Sequence, residues 1–75
     1  MNRIRRKALN ALYLELEDIQ SRLEEITCEE EDYRDNIPEN LQGSERYEIA
    51  DAACDSLRNA YDMITDALDS IIEAV

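Results

Sequence analysis

Apolar residues fall into two long stripes with helical spacing, separated by a short polar stretch. The first runs Leu9, Leu12, Leu16, Ile19, Leu23, Ile26, Glu30, Tyr33 and Ile37. Its steps alternate three and four, the mark of an a/d heptad seam on an α-helix, and Glu30 is its only charged member. The second runs Tyr47, Ala50, Cys54, Leu57, Tyr61, Ile64, Leu68, Ile71 and Val75 without a break. The pattern predicts a helix over residues 4–36, a turn over 37–44 and a helix over 45–75. Together these make an all-α, two-helix antiparallel coiled-coil hairpin forming a single domain. Setting a positions of one helix level with d positions of the other places Leu12 against Leu68, Leu16 against Ile64, Ile19 against Tyr61 and Leu23 against Leu57. Tyr33 then faces Tyr47, and Glu30 faces the small Ala50.

The turn holds the only proline and the only glycine of the chain. Pro38 cannot continue a helix and drives Ile37 toward extended backbone. Gly43 is expected to make the bend at a positive φ, and Ser44 to cap the second helix, with Glu45 and Glu48 in its positive first turn. The "PENL" segment reads as one short helical turn, with Ile37 and Leu41 closing the end of the core. The stretch "EEEDYRDNIPENLQGSERYE" resembles a group of short acidic helical-hairpin proteins encoded by bacterial phages and prophages. The pattern is an acidic helix, an aromatic, then N-x-P-E-x-L-Q-x-S-E-R, carried here by Tyr33, Asn36, Pro38, Glu39, Leu41, Gln42, Ser44, Glu45 and Arg46. The basic start "NRIRRKAL" fits it too. The resemblance implies a phage or prophage origin and no particular mechanism.

Size changes the picture, because 75 residues without Trp or Phe make a small, aliphatic core. Chains this short usually need a disulfide, a metal or a partner subunit. Two cysteines without a secretion signal make no disulfide framework. The apolar stretch after the basic start meets Glu15 too early for a signal peptide, and no run reaches the roughly 18 apolar residues of a membrane span. A cytoplasmic location is therefore expected. With no His, and with Cys28 and Cys54 far apart, neither a metal nor any cofactor is expected. Elimination leaves a second copy of the chain. Ala53, Ala60, Ala67 and Ala74 recur every seven residues beside the second seam, with Ile49, Met63 and Ile72 outside it. These predict a homodimer, a four-helix bundle with the second helices central and Ala53, Ala60, Met63, Ala67, Ile72 and Ala74 at the interface.

The net charge is −11. Four of the eight cations, Arg3, Arg5, Arg6 and Lys7, lie in the first seven residues, so the remainder is strongly acidic. In a hairpin this basic start is expected to pair with Asp69, Glu73 and the terminal carboxylate. An acidic body disfavours nucleic acid and anionic membranes as partners, neither of which is expected, and favours solubility or a basic protein surface as the partner. Glu15, Glu24, Glu25, Glu29 and Glu31 on the first helix are the candidate partner-binding residues. The sharp form of this reading is mimicry of DNA against a host protein. Catalytic residues are not expected, because exposed carboxylates lack the burial and neighbours that tune them for acid–base work. Cys28, among Glu25, Glu29 and Glu31, is a poor nucleophile, since anions raise a thiol pKa. The function expected is a small protein-interaction module. Its alternatives are a self-assembling structural or accessory protein, or an antitoxin-like partner of a basic toxin.

Overall fold

Helix α1, Arg3–Asp35, begins where Asn2, in extended backbone, accepts the amide N–H of Arg5 on its Oδ1 at 2.8 Å. That bond satisfies one of the orphan donors of the first turn. The helix ends at Asn36, whose amide side chain donates to the Asp32 carbonyl at 2.8 Å. Pro38 then blocks continuation, and its carbonyl accepts the Leu41 N–H at 2.8 Å, closing a single 3-10 turn over Glu39–Leu41. Ser44 is extended, its hydroxyl accepts the Tyr47 N–H, and helix α2, Glu45–Ala74, follows. The computed structural model describes residues 1–75 except Gln42, so that one position of the turn motif lies outside the described residues. The helices pack antiparallel into a hairpin with principal extents of 59 × 15 × 12 Å.

Two expectations for the turn are corrected. Among the described residues no glycine has a positive φ, and a Cβ built on Gly43 meets nothing within 4 Å. The reversal is made by Pro38, the 3-10 turn and the Ser44 cap instead. Ile37 does close the core, but Leu41 is exposed.

On α2 the core stripe is the expected one. Ala50, Cys54 and Leu68 are buried, and Tyr47, Leu57, Tyr61, Ile64 and Ile71 are half-buried between them; Val75 is exposed. On α1 every second member of the expected stripe is displaced. Leu9, Leu16, Leu23, Glu30 and Ile37 face α2, but they alternate with Tyr13, Gln20, Thr27 and Arg34. Leu12, Ile19, Ile26 and Tyr33 are 51%, 48%, 55% and 44% exposed, whereas Thr27 is 0% exposed. The helix has turned by about 50°, half the angle between neighbouring residues.

Cross-helix bonds show the cause. Gln20 bonds Thr65 and Arg34 bonds Asp51, where the expected pairing sets residue 60 against Gln20 and Arg46 against Arg34. At these bonds the hairpin has slid five residues, ~7.5 Å, relative to the expected register. The rotation costs apolar burial, since full burial of a Leu or Ile is worth ~1.5–3 kcal/mol. It gains a continuous set of polar partners along one edge.

Candidate interaction surfaces

The hairpin has two unlike edges. On the first, α2 presents Asp51, Arg58 and Thr65 at seven-residue intervals, each with a partner on α1. Arg58 is the centre. Its Nε and Nη2 donate to the two carboxylate oxygens of Glu31 at 3.0 and 2.6 Å, and its Nη1 donates to Glu24 at 2.8 Å. This fork uses the planar guanidinium geometry that a lysine lacks. The Glu31 pKa is lowered, chiefly by the Arg58 hydrogen bond, and the Arg58 guanidinium is held charged by Glu31 and then Glu24. One turn toward the loop, Arg34 donates to Asp35 at 3.0 Å and to Asp51 at 3.1 Å, which raise its pKa in that order. Away from the loop, Gln20 Nε2 donates to Thr65 Oγ1 at 2.7 Å, and that hydroxyl donates to the Tyr61 carbonyl at 3.1 Å.

The second edge is apolar. Leu12, Ile19, Ile26 and Tyr33 stand along it on α1, seven residues apart. Tyr33 fixes which part of α2 lies beside them: Arg46 Nε donates to its hydroxyl at 2.8 Å, with the guanidinium 5.4 Å from the ring centre. Heptad spacing from Arg46 carries Ala53, Ala60, Ala67 and Ala74 along the same edge. Ala53 and Ala60 are half-buried, and Ala67 and Ala74 are exposed. Ile49 and Met63 border the alanines and are largely exposed. Near the turn the edge hollows into an open depression lined by Glu30, Tyr33, Glu45, Arg46, Ile49 and Ala50. A second hollow, lined by Ile19, Arg22, Leu23 and Ile26, lies farther along α1.

The expected site residues are thus distributed unevenly. Glu15, Glu25 and Glu29 are exposed on α1, but Glu24 and Glu31 are half-buried and already neutralised by Arg58. Of the expected dimer residues, Ala53, Ala60, Met63, Ala67 and Ala74 belong with the apolar edge. Ile72, also exposed, falls on the polar edge, seven residues beyond Thr65. The expected seam held Leu12, Ile19 and Ile26, which the structure places on a free surface. The signal was there in the matched spacing of Gln20, Glu24, Glu31 and Arg34 with Thr65, Arg58 and Asp51. Among the described residues, Arg3, Arg5, Arg6 and Lys7 form no ion pair, contrary to the expected pairing across the hairpin. The slide leaves the start of α1 overhanging the end of α2, with Ile4 81% exposed.

Both cysteines are free, Cys28 exposed and Cys54 buried. The Cys28 thiol donates to Glu24 Oε1 at 3.5 Å, and this bond, which needs the proton, raises its pKa. Burial raises that of Cys54. Among the described residues, no three metal-ligating side chains converge, and no helix is long and apolar enough to cross a membrane. Comparison with known proteins found no matching family model, no matching curated protein and no matching solved structure.

Proposed function

We propose that the chain is a non-catalytic protein-interaction module that offers an acidic surface to a basic protein, in keeping with the phage-type turn motif. The observation that carries this reading is the run of free carboxylates along both helices. Glu15, Glu25, Glu29 and Asp32 on α1, and Asp55, Asp62, Asp66 and Asp69 on α2, are all exposed, and none has a cation within the chain among the described residues. Charge density limits the DNA-mimic form. A net −11 over 59 Å is roughly one charge per 5 Å, against one per ~1.7 Å in duplex DNA. Two chains side by side halve the gap, so mimicry by this surface calls for a pair.

The test is capture from a bacterial lysate on immobilised protein. Stoichiometric retention of a DNA-binding host protein, displaced by duplex DNA and lost in the Glu15→Lys, Glu25→Lys, Glu29→Lys variant, is expected. Retention that survives all three reversals, or no retained protein, contradicts the reading. A second reading, a self-assembling accessory component whose charge serves only to keep it dispersed, is favoured by the exposed apolar edge.

A further inference from the structure

We infer that the edge formed by Leu12, Ile19, Ile26 and Tyr33 of α1 with Ala53, Ala60 and Ala67 of α2 is covered by the same edge of a second copy of this chain. This inference stands independently of the acidic-partner reading, because it uses the opposite kind of surface. It also differs from the arrangement expected from sequence, in which α2 alone forms the interface and α1 faces outward.

Surface area and shape point to the occupant. A folded monomer of 8.7 kDa is expected to expose about 4,700 Å² by the usual scaling with mass. The hairpin exposes 5666 Å². The excess, roughly 900 Å², comes from the elongated single-layer shape, and covering one edge at the ~800 Å² that each partner loses in a standard two-protein interface would remove most of it. Its location is specific. Large side chains repeat every seven residues on α1, and alanines repeat every seven residues beside them on α2, so the edge is a row of ridges next to a row of hollows. A two-fold axis brings identical patches together, and a patch holding both ridges and hollows is complementary to itself.

Other occupants fit less well. The rim carries Glu15 and Glu45 together with Arg22 and Arg46, so a second copy brings cations to meet these carboxylates, whereas the net charge of −11 is repelled by an anionic lipid surface. Both helices of the hairpin are already committed to their shared seam.

Sedimentation equilibrium on three chains tests the inference. The native protein at tens of micromolar should give twice the 8.7 kDa chain mass. The Ile19→Lys, Ile26→Lys variant should associate more than ~10-fold more weakly, the effect of losing one buried anchor. The Glu25→Lys, Asp62→Lys control should remain paired. A monomeric native chain overturns the inference, as does an Ile19, Ile26 variant that still pairs. Should that variant unfold, hydroxyl-radical footprinting of the native chain decides. Raising its concentration should protect Leu12, Ile19, Ile26 and Met63 while Ile72, on the polar edge, stays reactive. Equal reactivity of all five at every concentration overturns the inference.

Discussion

The buried positions of this hairpin are chosen by chemistry that hydropathy does not rank. Thr27 is fully buried because its hydroxyl donates to the Leu23 carbonyl at 2.7 Å, leaving its methyl to face α2. Ile26, one residue earlier and far more apolar, is on the surface. The two thiols make the same point through reactivity. At pH 8 an aromatic disulfide reagent should modify Cys28 more slowly than a free thiol, because its raised pKa leaves less thiolate. Glu24→Gln should speed that reaction, and Cys54 should react only on unfolding; equal rates for the two thiols would contradict the placement of Cys54 in the seam. Gly43 is not at a positive φ and has open space around it. Gly43→Ala should therefore leave stability unchanged or raise it by ~0.4–1 kcal/mol, through the unfolded chain. A fall of that size in thermal unfolding would restore the glycine bend expected from sequence.

Between elements, the decisive property is pairwise, and this explains how far the sequence was readable. Helix ends, turn position and the α2 seam follow from local signals: Pro38, the Ser44 cap and an unbroken apolar stripe. The α1 seam does not, because two stripes share Leu9, Leu16, Leu23, Glu30 and Ile37. Read alone, α1 favours the stripe with Leu12, Ile19 and Ile26. Read against Asp51, Arg58 and Thr65, it favours the stripe with Gln20, Thr27 and Arg34. The Gln20–Thr65 bond reports the choice directly. A double-mutant cycle to alanine at both positions should give a coupling of ~0.5–1.5 kcal/mol; zero coupling would place the helices in the other register.

The Arg58 fork adds a pH signature to the same interface. Glu31 has its folded pKa below the ordinary 4.5, so it binds fewer protons folded than unfolded as pH falls through that range. Its stabilisation is therefore fully present above the unfolded value and is lost as pH falls through the lowered folded one. Arg58→Ala should lower the melting temperature by several degrees at pH 7. The gap to the native chain should close as the pH falls below the ordinary carboxylate range and through the lowered Glu31 value. A gap that stays constant to low pH would mean that the fork contributes nothing to the folded state.

As a whole molecule, the chain is a single-layer rod, 59 Å long and barely more than one helix thick in its other dimensions. Such a shape leaves most residues facing water, which is why so few side chains are buried and why one apolar edge remains open. It also spreads the carboxylates where self-repulsion is least and an approaching basic surface meets most of them. Pairing through the apolar edge reconciles both features, because it thickens the core and leaves the outward acidic faces free. Thermal unfolding of the native chain from about 1 to 100 μM, followed by helical circular dichroism, tests this most directly. Association with the folded form alone makes stability depend on concentration. The paired hairpin predicts a melting temperature that climbs steadily with concentration, and one that stays constant across the whole range would contradict it.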